Sequence, residues 1–300
     1  GSITATKKRV ILDCKRSRAN ELATSSHRLL LPRPFHTIDN VLAIQRSLQA
    51  RRKRRRAPDL DLEMVIADFV DAYWAIPLHA AERRFQVARW RGKWIVFLRT
   101  GQGTRESSLT WGMISAMVGR VGQSLYDESE LLLQVYTDDP ILTILAPMAR
   151  AKQIVAVITL AWMIMGFEMA FHKAQLGSRV GWIGYEIEDT PASTFVQVKK
   201  EFMDELWRDT KDLLSKNVVG LKFLRSFTGR VNHASNLMWV WRPFLDVLWA
   251  ATSEKSNVEE YKNDPRKKKQ KRRKSKAPKG MIWVKQLTHS LSWVWAFLNS

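Results

Sequence analysis

The feature that most constrains this chain is a pair of adjacent aspartates inside an apolar segment. Asp138 and Asp139 end the sequence Tyr-Thr-Asp-Asp, which lies between the apolar runs 131–135 and 141–145. This pattern predicts a β-hairpin with a buried face and two carboxylates at its tip. Two like charges are costly there unless a cation offsets their repulsion. The tip therefore predicts a cation site, although an ordinary hairpin turn, where Asp is favoured, is the plainer alternative.

A second pair of carboxylates closes a predicted strand over 62–69. Asp68 and Asp71 lie at its end. If this strand and the hairpin are neighbours in one antiparallel sheet, Asp68 and Asp138 meet and can bind the two divalent cations of a metal-dependent phosphoryl transfer. Asp139 is the weaker candidate ligand because adjacent strand residues point to opposite sides. Oxygen ligands suit Mg²⁺, and we expect Mn²⁺ to substitute for it.

The charge of the chain favours a nucleic acid as partner. Lys and Arg number 49 against 29 Asp and Glu, which gives a formal net charge of +20. A polyanion releases counterions when its phosphates are neutralised by such side chains. The alternative is a basic protein that is merely soluble. A hydrophobic fraction of 45% excludes wholesale disorder. Together with the acidic pairs, the charge predicts a metal-dependent enzyme that acts on nucleic acid.

Cysteine content and hydropathy predict an intracellular protein, in the cytoplasm or the nucleus, with no membrane partner. Cys14 is the single cysteine, so an internal disulfide framework and a cysteine-rich zinc site are excluded. The longest apolar stretch, Ile154–Met165, is too short to span a bilayer and is predicted to be a buried helix. The basic runs 51–56 and 266–274 are compatible with nuclear import, with contacts to a nucleic acid backbone, or with solvated tails.

Hydrophobic periodicity predicts a chain of mixed helices and strands. In one helix, Met113, Met117, Val121 and Leu125 recur every four residues and are predicted to form a single face. Beyond residue 191 the pattern becomes helical. The other predicted elements are strands at 7–15 and 180–187, a hairpin at 85–98, and helices at 37–48, 109–125, 147–165, 199–215, 218–233, 236–251 and near the end of the chain.

Six segments stand in an order that is more specific than any one of them. They are Arg9-x3-Asp13-x-Lys15, Asp68-Phe-Val-Asp71-Ala72-Tyr73, Gln102-Gly103-Thr-Arg-Glu106-Ser107-Ser108, Tyr136-Thr-Asp138-Asp139, Gly166 through His172-Lys173-Ala-Gln, and Trp182-Ile-Gly184-Tyr185. The series resembles the reverse transcriptases of retroviruses and long-terminal-repeat-type retrotransposons, from about residue 7 to 244. The resemblance implies an α+β right-hand polymerase with an antiparallel-sheet palm, fingers and a helical thumb.

The resemblance also implies an activity and a site. The enzyme would be an RNA-directed DNA polymerase of a retrotransposon-like element, which adds deoxynucleoside triphosphates to a primer 3′-hydroxyl on an RNA or DNA template with two Mg²⁺ ions. By similarity, the implied residues are Asp68, Asp138 and Asp139 for the metal, Lys173 near the leaving pyrophosphate, Arg9, Asp71, Ala72, Tyr73 and Gln102 for the nucleotide, and Gly103, Trp182, Gly184 and Tyr185 for primer and template.

Each of these roles has a physical reason and an alternative. The ring of Tyr73 would clash with a ribose 2′-hydroxyl, which predicts a preference for deoxynucleotides, unless it only packs in the core. Lys173 can donate a proton to pyrophosphate as a general acid, unless it is a solvated lysine. Gln102 can hydrogen-bond the sugar or a base edge, and Gly103 permits a close backbone approach.

The predicted layout divides the chain into three regions. Fingers are expected at 1–60 and 80–104, the catalytic palm at 61–79 and 105–190, and a helical thumb or connection-like region at 191–300, with a disordered basic linker at 255–280. Glu106 and Ser108 depart from the Gly and Pro of the family's pattern, and the negative charge of Glu106 would weaken template binding. Two alternatives stay open: an RNA-dependent RNA polymerase, and a catalytically inactive remnant that binds nucleic acid.

Overall fold

The computed structural model describes residues 11–14, 16–22, 27, 29–53, 60–190, 193–261, 277–278 and 280–300, without the side chains of 22, 239 and 254–261. Two compact units divide the chain, Gly1–Val196 and Gln197–Ser300. Arg9 and Lys15 lie outside the described residues, and of the predicted strand 7–15 only a single bridge, between Ile11 and Gln102, is described. The elements as far as the unit boundary are α1 (Ala19–Leu22), α2 (Pro34–Lys53), β1 (Asp61–Ile66), β2 (Val87–Trp90), β3 (Lys93–Val96), α3 (Ser107–Ser124), β4 (Leu131–Tyr136), β5 (Asp139–Ala146), α4 (Met148–Ile164), β6 (Gln175–Gly177), β7 (Arg179–Trp182), β8 (Tyr185–Asp189) and β9 (Thr194–Val198).

A four-stranded antiparallel sheet organises the first unit. Its strand order is β4-β5-β1-β6. β4 and β5 form the predicted hairpin, closed by the pair Tyr136 and Asp139, so this prediction is confirmed. β5 also pairs with β1, with Ile141 opposite Ile66. The strand that precedes Asp68 and the strand that begins at Asp139 are therefore direct neighbours.

Both faces of this sheet are covered, which explains the nearly continuous apolar sequence of β5. On one face, α3 and α4 contribute Trp111, Val118, Ile158 and Trp162 to the core. On the other, α2 packs with the sheet and with β7 and β8; the buried residues there include Val41, Ile44, Met64, Ile66, Ile141, Val180, Trp182 and Ile187. The end of the sheet that carries the aspartates is thus held between two layers of apolar packing.

The apolar four-residue repeat of helix α3 does not face the core. Met113, Met117, Val121 and Leu125 are exposed. The buried face consists of Trp111 and of small residues together with Val118. A Cβ on Gly119 would lie 2.8 Å from Val135 Cγ2, so the helix packs on β4 at a distance that only glycine permits. The four residues share one face, as predicted, but that face is exposed, because the packing of this helix uses small residues rather than large apolar ones.

Two further predictions need correction. Only one face of α4 is buried, through Ala151, Ile154, Ile158 and Trp162, while Leu160 and Ile164 are exposed. The strand predicted at 180–187 is instead the hairpin β7–β8, whose two turn residues, Ile183 and Gly184, have φ of 42° and 87°. Positive φ at both turn positions matches the twist of paired strands, so the chain reverses there.

The second unit is mainly helical, as the sequence predicts beyond residue 191. Its buried residues include Leu206, Leu224, Phe227 and Leu291. The predicted linker at 255–280 is helical as far as Tyr261, which corrects its first part; most of its remaining residues lie outside the described part of the chain. No helix in the described parts of either unit is long and apolar enough to cross a bilayer. The elements of this unit are α5 (Lys200–Ser215), β10 (Val218–Gly220), α6 (Leu221–Ala234), α7 (Arg242–Tyr261), β11 (Met281–Trp283) and α8 (Thr288–Leu298).

Candidate active site

A cleft of about 300 Å³ lies where the ends of β1, β5 and the β7–β8 turn meet. Two of the predicted carboxylates, Asp68 and Asp139, line it together with Lys173. The remaining wall is formed by Ile66, Ala67, Gln175, Gly181, Trp182, Ile183 and Gly184. Residues from sequence-distant strands therefore converge on one opening of the first unit.

The backbone around Asp68 is clamped between two other segments. β1 ends at Ile66. The backbone that follows it is hydrogen-bonded to a different segment on each side. The Phe69 amide donates to the Asp138 carbonyl oxygen at 3.0 Å, and the Ala170 amide donates to the Asp68 carbonyl oxygen at 2.8 Å. These bonds hold Asp68 between the hairpin tip and the segment that leads to Lys173.

The hairpin tip presents Asp139 to the cleft. Thr137 and Asp138 form the turn, and Thr137 adopts the left-handed region with φ of 51°. The Trp182 indole donates a hydrogen bond to the Asp139 carbonyl oxygen at 3.0 Å, which fixes the start of β5 against β7. The sequence ranked Asp138 above Asp139 as a ligand, whereas in the structure Asp139 is the member of the pair that lines the cleft.

The electrostatics of the cleft disfavour a charged Asp139. The pKa of this carboxyl is raised from 3.8 to about 6, first by burial and then by the charges of Asp138 and Asp68. Lys173 acts against them, and its ammonium group forms an ion pair with Asp68. The side chain of Asp68 is only 12% exposed, so this pair lies in the wall of the cleft.

This donor set fits a divalent cation by its chemistry. Asp139 is buried beside the charges of Asp138 and Asp68, and burial and these charges raise its pKa. A bound cation stabilises the ionised carboxylates of such a set. Within the described residues, no three His, Cys, Asp or Glu side chains are gathered closely enough to hold an ion as they stand. Lys173 on Asp68 supplies positive charge in this state of the cleft. Lys173 therefore competes with an ion for Oδ2 of Asp68.

The predicted nucleotide-binding segment follows Asp68 directly. Asp71 has φ of 45° and begins a 3₁₀ turn over Ala72–Ala75. Ala72 is buried, and Tyr73 is half-buried with its ring 6.5 Å from that of Trp111. Tyr73 thus packs partly against the core, as its plainer alternative predicted, and keeps part of its surface open. Its predicted contact with a sugar stays a prediction.

Gln102 and Gly103 lie against the segment 11–14. The Leu12 amide donates to the Gln102 carbonyl oxygen at 2.8 Å. A Cβ on Gly103 would lie 2.0 Å from the Leu12 carbonyl oxygen, and its φ is 110°. The close backbone approach that glycine permits is therefore made to the chain itself. Contacts of Gln102 with a nucleotide and of Gly103 with a template stay predictions.

The β7–β8 turn brings the predicted primer contacts to the same cleft. The rings of Trp182 and Tyr185 are buried, at 1% and 0% exposure, and Tyr136 packs edge-on against Trp182. Gly184 forms the turn with Ile183, and both line the cleft. Of the three predicted primer residues in this hairpin, two therefore have buried rings and Gly184 lies at the turn; their contacts with a primer stay predictions.

Gln175 is a site residue that the sequence did not single out. Its side chain donates to the Gly181 carbonyl oxygen at 3.1 Å and accepts from the Gly181 amide at 2.8 Å. In β6 it also pairs with Ile66. Gln175 therefore joins the strand before Asp68 to the β7–β8 hairpin. Its position beside Lys173 in the sequence was the available signal, but its partner could not be read from the sequence.

Comparisons with known proteins place the fold. No protein-family profile and no curated protein matches the chain. Among solved structures, a foamy viral protease-reverse transcriptase in complex with an RNA/DNA hybrid aligns over 79% of this chain and 27% of its own, with 18% identity and a TM-score of 0.50. Two further foamy viral structures, both with double-stranded DNA, align over 79% of this chain and 35% and 42% of theirs, with 18% identity and TM-scores of 0.51. The chain spans less than half of these proteins, and its mixed helix and sheet fold is similar to the retroviral reverse-transcriptase fold.

Proposed function

We propose that this chain is an RNA-directed DNA polymerase, which adds deoxynucleotides to a primer 3′-hydroxyl on an RNA or DNA template. The observation that carries the proposal is the meeting of Asp68 and Asp139 in one cleft, from the neighbouring strands β1 and β5. The likeness in fold supports it, because the similar foamy viral proteins were solved with an RNA/DNA hybrid and with double-stranded DNA. The net charge of +20 suits such partners.

The carboxylates would hold the metal. Asp68, Asp138 and Asp139 are the residues that would bind two Mg²⁺ ions, or Mn²⁺ in their place, and the bound ions would stabilise the charge that develops on the reacting phosphate oxygens. Burial and the charges of Asp138 and Asp68 raise the pKa of Asp139, so its ionised form is disfavoured without a cation; this is the reason that such ions are expected to bind.

Protein side chains around the cleft supply orientation and a proton. Lys173 lies beside Asp68 and, once released from it, can donate a proton to the leaving pyrophosphate. Tyr73 follows Asp68 in a turn held by the Trp74 amide, which donates to the Asp71 carbonyl oxygen at 2.7 Å. From there its open surface would exclude a ribose 2′-hydroxyl. The Ile183–Gly184 turn would meet the primer.

The layout of a right hand is part of the same proposal. The palm would include the four-stranded sheet and its helices, at 61–79 and 105–190, with fingers at 1–60 and 80–104. The helical region beyond 191 would act as the thumb, and the parent element would be retrotransposon-like.

In the described structure, Arg230 of α6 pairs with Glu205, at 3.0 Å, and with Asp209. These ion pairs join α6 to α5 within the helical unit.

Two observations favour a second candidate, a catalytically inactive remnant that binds nucleic acid. Lys173 is paired with Asp68, and an amine in that place competes with a metal for the carboxylate. Glu106, at the start of α3, also departs from the family's glycine. In this candidate the basic surface would bind nucleic acid while the cleft carries out no synthesis.

Primer extension separates these candidates. Purified chain is given a primed RNA template, labelled deoxynucleotides and Mg²⁺, with Asp139→Asn and Asp138→Asn as matched variants. We expect incorporation by the natural chain and a loss of at least about 100-fold in Asp139→Asn, because one carboxylate of the charge-stabilising set is removed. Incorporation of ribonucleotides would favour an RNA polymerase. Binding of the template without any synthesis would favour the remnant.

A further inference from the structure

The β2–β3 hairpin has no cover on either face. Its strands pair in antiparallel register, with Arg89 opposite Trp94 and Trp90 opposite Lys93. Apart from Ala88, every residue of the two strands is exposed. A two-stranded ribbon of this kind is marginal when it stands alone. It therefore depends on its attachment to the rest of the unit.

The base of the hairpin is attached next to the segment that follows Asp71. The Leu78 amide donates to the Leu98 carbonyl oxygen at 2.9 Å, and the rings of Trp74 and Phe97 lie 5.6 Å apart. The ribbon is thus anchored at one end and projects its other end into solvent. Its exposed side chains are held in a defined place by this anchor.

Each face of the ribbon carries a tryptophan with an arginine over it. Cross-strand partners share a face, so Arg89 and Trp94 lie on one side and Trp90 on the other. The Arg89 guanidinium is 5.7 Å from the Trp94 ring centre, and that of Arg91 is 5.6 Å from the Trp90 ring centre. Trp90 and Trp94 are 63% and 70% exposed. Each face of the ribbon therefore presents one flat indole ring next to one positively charged guanidinium group.

So many contacts between arginines and aromatic rings in one short segment are unusual for a protein surface. Significant contacts between a cation and an aromatic ring occur about once per 70–80 residues. Here three fall within a short segment, since Arg84 also lies 4.7 Å from the Phe85 ring centre. Within the described part of the chain, no ion pair involves Arg84, Arg89, Arg91 or Lys93. Their charges are not offset by neighbouring carboxylates through such pairs.

We propose that the β2–β3 hairpin binds single-stranded nucleic acid, with unpaired bases stacked on Trp90 and Trp94 and phosphates bound by Arg89, Arg91 and Lys93. An exposed indole offers a base the flat surface that sequence-independent binding uses, and a nearby guanidinium neutralises the backbone. Bases in a duplex already have both faces covered, so the rings select unpaired strands. A second copy of this chain is a poor occupant, because each carries a net charge of +20.

This site goes beyond the proposed polymerase activity, because it requires neither a metal ion nor a reaction. The test is fluorescence anisotropy with a labelled oligothymidylate of about 20 nucleotides and with a duplex of the same length. The variants are Trp90→Ala/Trp94→Ala and Trp90→Phe/Trp94→Phe. Trp249→Ala, an exposed tryptophan of the second unit, is the matched control. Thermal melting checks that each variant is folded.

Loss of the rings should weaken single-strand binding selectively. We expect the Kd of the double alanine variant for the single strand to rise at least about tenfold. The phenylalanine variant, which keeps flat rings, should stay within about threefold, as should Trp249→Ala and the binding of duplex by every variant. Arg89→Gln/Arg91→Gln should lower the slope of log Kd against log salt concentration by about 1.4, or about 0.7 for each phosphate contact.

Two results would overturn the proposal. One is single-strand binding by the double alanine variant that equals that of the natural chain. The other is an equal loss for duplex and single strand, which would show a contact by charge alone. Asp139→Asn serves to separate the two proposals, because it should abolish synthesis and leave single-strand binding unchanged. If the polymerase proposal fails, the measurement of single-strand binding by the hairpin can therefore still be interpreted.

Discussion

At residue 139 the cleft holds a carboxyl group whose ionised form is disfavoured. Its pKa of about 6 lies above the ordinary 3.8, first through burial and then through Asp138 and Asp68. A carboxyl with a raised pKa in the folded state binds its proton more readily there than in the unfolded chain. Stability therefore falls as the pH rises from about 4 to about 6, and the charged form is a cost at neutral pH.

Asp139→Asn should stabilise the protein at pH 7 in the absence of divalent cations. A shift of this size corresponds to ~3 kcal/mol, and partial solvent access reduces our expectation to ~1 kcal/mol. Mg²⁺ should raise the melting temperature of the natural chain and leave that of the variant unchanged. Thermal melting at pH 5 and pH 7, with and without Mg²⁺, measures both effects. Glu128→Gln, at an exposed carboxylate, is the control. An unchanged melting temperature of the natural chain on addition of Mg²⁺ would contradict the assignment of Asp139 as a metal ligand.

At the scale of single elements, the hairpin β4–β5 was predictable and the packing of α3 was not. Alternating and apolar positions around Asp138 and Asp139 identify a strand pair from local sequence alone. The buried face of α3 depends on Gly119 and its 2.8 Å approach to Val135, and a hydrophobic pattern does not register the absence of a side chain. The pairing of β1 with β5, which joins Asp68 to Asp139, entered the sequence analysis only as a condition for the two acidic pairs to meet, because no local signal fixes which strands are neighbours.

Adjacent substitutions in α3 test this packing. Met117→Lys changes an exposed side chain and should alter the free energy of unfolding by less than about 0.5 kcal/mol. Val118→Ala empties part of a fully buried position and should cost about 1–2 kcal/mol. Denaturant unfolding of both variants gives the two values under identical conditions. The opposite ranking would mean that the methionine face is the buried one.

At the scale of the whole molecule, the chain combines a cleft of carboxylates with a strongly basic composition. Its fold is similar to that of foamy viral protease-reverse transcriptases, of which it spans less than half. The order of the motifs predicted a fold of this kind, while the right-hand layout and the roles of the motif residues stay predictions. The contacts of Lys173 with Asp68 and of Gln175 with Gly181 could not be predicted, because they depend on side chains brought together by folding.

The central claim is that Asp68 and Asp139 bind divalent cations together. Crystals of the protein soaked in Mn²⁺, with anomalous scattering recorded for that metal, test it most directly. We predict a manganese peak at about 2.1 Å from carboxylate oxygens of both residues, with Lys173 moved off Asp68, and no such peak in Asp68→Asn. A map with Lys173 still on Asp68 and no manganese between the two carboxylates would contradict the account.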